Sequence, residues 1–175
     1  LIYEGSTDPV YNGSLGNVFS YKGFHLNIFM TYAFGNVVRL DPVFKARYND
    51  LTSMTHDFKN RWMQPGDESV TNVPGIVSKY EYDKNKTNLA KAYNAYNYTS
   101  VRTAKRDFIR MKEISLAYDF PRAWFEGTAV NNISLKLQAT NLFLIYADKK
   151  LNGQDPEFMN AGGVASPMPK QFTLT

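Results

Sequence analysis

Hydrophobic and polar side chains alternate along several segments of this chain with the period of two that is typical of β-strands. The clearest segment is 24–34, in which Leu26, Ile28 and Met30 share one parity while Asn27 falls on the other. Its 11 residues match the roughly 9–11 that a tilted strand needs to cross a membrane. The pattern predicts a strand with one apolar face and one polar face.

The same alternation returns in the second half of the chain, between stretches rich in Gly, Pro and Asn. Its apolar positions are Ile114, Leu116, Tyr118, Ile133, Leu135 and Leu137. We predict strands at 13–22, 24–36, 105–120, 132–146 and 169–175. Between the first two strands, Lys22 and Gly23 separate two aromatic-rich runs, which indicates a tight hairpin.

Two long connections, 37–104 and 147–168, lack this alternation and are predicted to be loops. Asp41 followed by Pro42 is a good helix start, so a helix is expected from there. Its apolar face would consist of Phe44, Tyr48, Leu51, Phe58 and Trp62. A shorter helix is predicted at 89–96.

The chain is rich in aromatic residues, which make up 15% of it and include 12 Tyr and 12 Phe. Many large rings on alternating strands suit either a β-sandwich or a membrane β-barrel with aromatic girdles, and alternation alone does not choose between them. Five strands cannot close a membrane barrel, for which about eight is the minimum. We therefore expect that a barrel chain would be a piece of a longer protein.

Charge and cysteine content exclude several classes of function. The net charge of +4 is scattered without a basic run, so no nucleic-acid partner is predicted. The absence of cysteine excludes a disulfide framework and a cysteine-based zinc site. The sequence also shows no signal peptide and no apolar stretch of roughly 18 residues that could form a spanning helix.

The residues that could carry chemistry do not form a recognisable catalytic or metal site. His25 and His56 are the only histidines, and neither has a carboxylate at ligand spacing. The carboxylate pairs Asp67-Glu68 and Asp155-Pro156-Glu157 are too close in sequence to face each other across a sugar. They also lack the dense alternation of calcium loops, although calcium binding stays open, so loop-organising hydrogen bonds are the default. No enzyme activity, metal or cofactor is predicted.

Aromatic side chains in the long loop are the best candidates for contact with a ligand or a partner protein. Tyr93, Tyr96 and Tyr98 lie together with amide side chains, and Trp62 lies further upstream. Rings and amides of this kind bind sugars and peptides, but they also form protein interfaces and loop cores. Packing within the loop, contact with a partner and contact with substrate all remain open.

Several motifs, in order along nearly the whole chain, resemble the C-terminal region of the SusC/RagA family of TonB-dependent outer-membrane transporters. The motifs are GSTDPVYNG at 5–13, NVFSYKGF at 17–24, RWMQPGDE at 61–68, FIRMKEISLAYDFP at 108–121, NLF at 141–143, GQDPE at 153–157 and PMPK at 167–170.

The resemblance implies an all-β fold, namely the C-terminal strands of a large antiparallel transmembrane β-barrel with long extracellular loops that carry short helices. It implies a bacterial outer-membrane transporter that imports glycans or peptides together with a SusD-like lipoprotein, driven by the inner-membrane TonB complex. In the family, the plug and the TonB-contacting segment lie N-terminal to this region. The apolar strand positions given above would then face the lipid of the outer membrane.

A soluble β-rich carbohydrate-binding or adhesion module with a helical insertion is the alternative. In such a module, the apolar strand faces would be closed inside a core. The two hypotheses therefore differ in whether those faces are covered.

Overall fold

The computed structural model describes residues 2–49, 51, 54–159 and 168–175, and its main feature is one antiparallel sheet. The strands are β1 (Tyr11–Tyr21), β2 (Phe24–Phe34), β3 (Val37–Arg39), β4 (Thr103–Lys105), β5 (Phe108–Asp119), β6 (Ser134–Ala147) and β7 (Gln171–Leu174). Five of them form the sheet in the order β1-β2-β5-β6-β7, and β3 pairs with β4 in a separate ribbon. Neighbours in the main sheet are successive in the chain apart from the small ribbon, so the fold is a simple up-and-down meander.

The turn between β1 and β2 has the geometry that its sequence predicted. Lys22 and Gly23 have φ angles of 45° and 84°, as a two-residue hairpin turn requires. The carbonyl of Gly23 accepts a hydrogen bond of 2.8 Å from the backbone N–H of Asp119. A Cβ at Gly23 would lie only 2.9 Å from the carbonyl oxygen of Asp119, so the tight turn depends on glycine.

A β-bulge in β5 changes which side chains share a face. Phe29 pairs with Glu113 while Met30 pairs with Met111, which leaves Lys112 without a partner position on β2. The extra residue reverses the parity of β5 on its N-terminal side. Met111 therefore faces the same side as Met30, and Arg110 faces the opposite side with Glu113.

The connections between strands differ in length at the two ends of the sheet. The turn at 22–23 and the connection 120–133 lie at one end, which we call the turn end. The segments 35–107 and 148–170 join strands at the other end, which we call the loop end. All the long excursions of the chain therefore leave the sheet on one side.

The two long segments pack against each other at the loop end. Leu151 is 1% exposed and packs with Leu40 and Ala104 in a small core above the strands. The backbone N–H of Lys105 donates to a carboxylate oxygen of Asp148 at 2.9 Å. Through these contacts, the β3–β4 ribbon of the first long segment packs against and positions the second.

The long loop contains one α-helix, α1 (Lys79–Asn97), which is longer than the predicted 89–96. Ser78 caps its start, because the Ser78 hydroxyl accepts a hydrogen bond from the N–H of Glu81 at 3.2 Å. Short 3₁₀ turns lie at His56–Asn60, Asp67–Ser69, Ser100–Arg102, Arg122–Phe125 and Lys149–Leu151. Among the described residues, no helix combines the length and apolar character needed to cross a membrane.

The predicted helix that begins at Asp41 is wrong. The described part of 41–55 contains no helix, and residues 42–47 instead run beside α1. The buried Asn97 amide holds them there, accepting from the Phe44 N–H at 3.2 Å and donating to the Phe44 carbonyl at 2.8 Å. The aromatic spacing reflected tertiary contacts, such as the Phe44 ring edge-on to Tyr96 at 5.2 Å.

Candidate functional site

The strand register brings almost all of the predicted lipid-facing residues onto one face of the sheet. Leu116 lies opposite Leu26 on one side and opposite Leu137 on the other, while Ile28 lies opposite Ile114. Directly paired residues project to the same face. Further positions of this apolar face are Met30, Tyr118 and Leu135, and Ile133 lies one residue before β6.

The apolar face is open over much of its area. Leu116 is 42% exposed, Leu137 is 53% exposed and Phe172 of β7 is 75% exposed. Contiguous exposed apolar surface of this kind marks a site of contact with lipid or protein. A closed sandwich core, as the alternative hypothesis requires, would bury these side chains.

Aromatic rings are concentrated on both borders of the apolar face. At the turn end, the rings of Phe24 and Tyr118 are 4.4 Å apart, Tyr118 and Phe120 are 5.0 Å apart, and Trp124 follows at 5.8 Å from Phe120. We call this group the turn-end belt. Girdles of rings at the two interfaces are a property of outer-membrane barrels.

A second group of rings, the loop-end belt, lies at the opposite border. The rings of Tyr32 and Phe34 are 5.8 Å apart, and those of Phe34 and Tyr146 are 6.4 Å apart. From Phe24 to Phe34, about ten steps of about 3.3 Å give roughly 33 Å along β2. A strand tilt of about 40° would reduce this to roughly 25 Å, which is the height of the apolar band of an outer-membrane barrel.

The other face of the sheet is mainly polar, apart from Val18 and Phe29, and is cross-linked by side-chain hydrogen bonds. The Asn27 amide donates to a Glu113 carboxylate oxygen at 3.1 Å. His25 lies 2.8 Å from the Ser20 hydroxyl through Nδ1 and 3.0 Å from an Asp119 carboxylate oxygen through Nε2. Sequence reasoning missed this carboxylate because Asp119 is distant in the chain and reaches His25 only through the β2–β5 register.

The GQDPE motif packs against the polar face of the sheet, and ion pairs with side chains of β5 hold it there. Arg110 forms an ion pair with Asp155, and both side chains are nearly buried, at 5% and 7% exposure. Glu157 lies 2.8 Å from Arg110 Nε and accepts hydrogen bonds from Lys112 Nζ at 2.8 and 2.9 Å. Arg106 Nε donates to the Pro156 carbonyl at 2.7 Å.

Asp155 and Glu157 therefore organise the loop through hydrogen bonds and ion pairs, as predicted by default for this carboxylate pair. Their partners are cations of the sheet, so a metal ion is not needed to balance their charge. Arg110 was missed as a key residue because the bulge at Lys112, which turns it toward the loop, has no clear sequence signature.

The four aromatic residues predicted to contact substrate or a partner lie in the long loop, but they do not form one surface. The Tyr93 hydroxyl donates to the Gly75 carbonyl, and Tyr96 packs edge-on against the Phe44 ring. Tyr98 is 58% exposed, with the guanidinium of Arg39 5.5 Å from its ring centre. Trp62 is about half exposed.

Tyr93 and Tyr98 share an open groove of about 450 Å³ with Asn94, between α1 and the extended segment 42–47. Trp62 and Tyr96 do not line this groove. Contact with substrate or a partner therefore remains a prediction for all four residues, with Tyr98 the most accessible and Tyr96 the most clearly engaged in packing.

The half-buried phenols of this loop predict a loss of its stability at alkaline pH. Burial raises the pKa of Tyr93 above its usual 10.0, and the neighbouring Tyr48 phenol raises it further. The neutral phenol therefore contributes its full stabilisation below about pH 10, and this is lost as pH rises through the higher folded-state pKa. We expect tyrosinate absorbance to appear at higher pH in native protein than in denatured protein.

The Tyr93→Phe variant should remove the Tyr93 part of this difference, with Tyr80→Phe as a control on an exposed ring of the same helix. Coincident titration curves for native and denatured protein would contradict the assignment.

Comparison with known proteins gives matches over nearly the whole chain. No family model matches it. A TonB-dependent receptor from Formosa agariphila is 26% identical over 171 residues, which cover 95% of this chain and 15% of that protein. The chain thus spans less than a sixth of the length of this curated relative.

Solved structures with the same fold include a RagAB peptide importer in an open-open state, with a TM-score of 0.66 and 22% identity. The same importer in a closed-closed state gives a TM-score of 0.67 at 23% identity. In each case, the match covers 98% of this chain and 17% of the other. The mostly antiparallel sheet with few helices agrees with these structures. The sequence match to a TonB-dependent receptor and the fold shared with the RagAB importer together support the resemblance to the C-terminal region of SusC/RagA-type transporters.

Proposed function

We propose that this chain forms part of the barrel wall and the extracellular loops of an outer-membrane transporter that imports glycans or peptides with a SusD-like lipoprotein. The observation that carries the proposal is the two-faced sheet. Its apolar face is open and bordered by the turn-end and loop-end belts, while its opposite face is polar. This is the distribution that lipid on one side and a water-filled lumen on the other would favour.

The open edges of the sheet support membership in a larger barrel. In β1, every residue is exposed, and β7 is likewise exposed along its length. Both strands lie at the edges of the five-stranded sheet, so each has one side available for pairing. In lipid, unpaired strand edges are not tolerated, so further strands of the same protein would continue the sheet on both sides.

Strand connections support the orientation of the wall. Outer-membrane barrels have short periplasmic turns and longer extracellular loops. By this rule, the turn end faces the periplasm, and the loop end, with α1 and the GQDPE motif, faces outward. A lipoprotein lid or an arriving substrate would then meet the loop end first, which keeps Trp62 and Tyr98 as candidates for contact.

The soluble-module alternative is disfavoured by the same surface. A soluble protein with an open apolar face and two free strand edges would aggregate. Transport is also a function without bond making, which fits the resemblance to receptors and importers.

Uptake by cells that produce the full-length protein tests the proposal. We expect the protein in the outer-membrane fraction and energy-dependent uptake of labelled oligopeptides or oligosaccharides, which an uncoupler of the proton gradient abolishes. Recovery of the protein without detergent as a monodisperse, cooperatively melting monomer would favour the soluble module instead.

A further inference from the structure

The groove between α1 and the extended segment 42–47, which we call the α1 groove, gathers the excess positive charge of the chain. Segment 42–47 contains Lys45 and Arg47 and no acidic residue, so its formal charge is +2. The helix contains four lysines against Glu81 and Asp83, so its formal charge is also +2. These two walls together account for the net charge of +4 that the whole chain carries. A groove lined by one sign of charge concentrates ligands of the opposite sign.

The two cations of segment 42–47 are open to a ligand. Lys45 and Arg47 are both exposed, and both line the groove, which measures about 450 Å³. Among the described residues, neither side chain forms an ion pair, and the lining of the groove contains no Asp or Glu. Both charges are therefore available to the anionic groups of a ligand.

Packing holds this wall in place and orients its arginine. Phe44 and Ala46 are buried, which leaves the alternate residues Lys45 and Arg47 exposed. The guanidinium carbon of Arg47 lies 5.4 Å from the centre of the Tyr82 ring, which also lines the groove. Stacking on a ring leaves the N–H groups at the edge of a guanidinium free, and this planar fork matches the two oxygens of a carboxylate. Arg47 is thus positioned to bind a carboxylate.

Aromatic rings and an amide complete the lining. Tyr93, Asn94 and Tyr98 lie in the wall formed by α1 and its C-terminal end, and Tyr98 is 58% exposed. A tyrosine ring offers an apolar surface with a polar tip, which suits the apolar face and hydroxyl edge of a sugar ring. The Asn94 amide can both donate and accept, as hydroxyl groups require. The volume lies within the roughly 300–1,000 Å³ of a complete ligand site.

We propose that the α1 groove binds an acidic oligosaccharide whose sugar units carry carboxylates, an inference that rests on the transport function proposed above and narrows its substrate. Arg47 and Lys45 would bind the carboxylates, and the Tyr98 ring would pack against a sugar face. A neutral glycan would leave the two cations without a counter-charge, and an acidic peptide would have no sugar face for the tyrosines. In the proposed orientation, the groove lies on the outward side of the membrane, where an arriving substrate meets it first.

Titration of trigalacturonate into the detergent-solubilised full-length protein tests the site. Arg47→Gln removes an exposed cation, so the fold should persist, and we expect about tenfold weaker binding from the loss of charge-assisted hydrogen bonds. Lys91→Gln is the matched control, because it removes a cation of α1 that does not line the groove, and the affinity should stay within about twofold. Added salt should weaken binding to the wild-type protein more than binding to Arg47→Gln.

A second pair of variants tests the aromatic contact. Tyr98→Ala should weaken trigalacturonate binding about threefold, since it removes the ring surface against which a sugar packs. Tyr80→Ala removes a ring of α1 that is 72% exposed and lies outside the groove, so it should leave the affinity unchanged.

Maltotriose and triglutamate identify the class of ligand. Maltotriose has the same number of sugar rings without charge, and triglutamate has carboxylates without sugar rings, so we expect both to bind about tenfold more weakly than trigalacturonate. Equal affinity for maltotriose would overturn the role of charge, and equal affinity for triglutamate would overturn the assignment to glycans.

Two further results separate this site from the function on which it rests. Trigalacturonate binding that is absent from the wild-type protein, or unchanged in both Arg47→Gln and Tyr98→Ala, would overturn the site even if the protein reaches the outer membrane and imports other substrates. Failure of the wild-type protein to reach the outer membrane would instead overturn the transport function itself.

Discussion

Replacing Ile28 with arginine is expected to destabilise the membrane-inserted protein by about 2–4 kcal/mol. Ile28 lies opposite Ile114 on the apolar face, near the middle of β2 between Phe24 of the turn-end belt and Phe34 of the loop-end belt. A charged side chain on the lipid face costs most near the bilayer midplane and little near the interfaces. Reversible denaturant unfolding of the full-length protein in lipid bilayers measures the effect as a change in unfolding free energy.

Gln138→Arg is the matched control on the polar face. Gln138 lies opposite Ser115, which itself lies opposite Asn27, the neighbour of Ile28 in β2, so its depth in the membrane is nearly that of Ile28. An arginine on the polar face would stay hydrated, and we expect its cost to be a small fraction of that at Ile28. Equal costs for the two variants would argue against a lipid-facing wall.

Removing the buried cation at Arg110 is expected to release the GQDPE segment from the sheet. Without Arg110, Asp155 would remain nearly buried with its charge uncompensated. Loss of one partner from a buried pair typically costs about 3–5 kcal/mol. Hydrogen exchange of the amides in 153–157 should therefore become much faster in Arg110→Met, while exchange in β2 and β5 near the turn end stays slow.

A double variant separates charge from packing at this site. Arg110→Met combined with Asp155→Leu removes both charges, so we expect it to recover much of the protection lost in Arg110→Met. Lys136→Met, on the polar face near the turn end, is a control that removes a cation outside this network. Wild-type exchange rates in Arg110→Met would show that the ion pair does not anchor the segment.

The strands could be anticipated from the sequence because a two-faced sheet imposes alternation residue by residue. The row Leu26, Ile28, Met30 needs no long-range information, and the Lys22-Gly23 turn carries its own conformational signal. The β5 bulge did not follow from the pattern, since the reversal of parity at Lys112 depends on pairing with β2. Consequently, the apolar face was anticipated but the position of Arg110 was not.

The helices of the long loop were predicted poorly for a different reason. Its aromatic residues recur at helical spacing, yet Phe44 and Tyr48 contact Tyr96 and Phe58 across the loop instead of forming one helical face. The start of α1 did carry a local signal, because Ser78 and Glu81 have the spacing of a capping box. A helix that starts at this motif begins where α1 is observed to begin. No local signal marks the α1 groove, because its walls come from distant segments.

In the proposed barrel wall, one face of the sheet contacts lipid and the other contacts water, and this difference can be measured directly. These 175 residues contain no cysteine, so once any cysteine elsewhere in the full-length protein has been replaced, single cysteines can be introduced along 25–30 and 135–138 and labelled with a nitroxide in bilayers. We predict that collisions with oxygen dissolved in lipid are frequent at 26, 28, 30, 135 and 137. Collisions with a water-soluble nickel complex should be frequent at 25, 27, 136 and 138. Accessibility to the two reagents without this alternation of period two would contradict the lipid-facing wall.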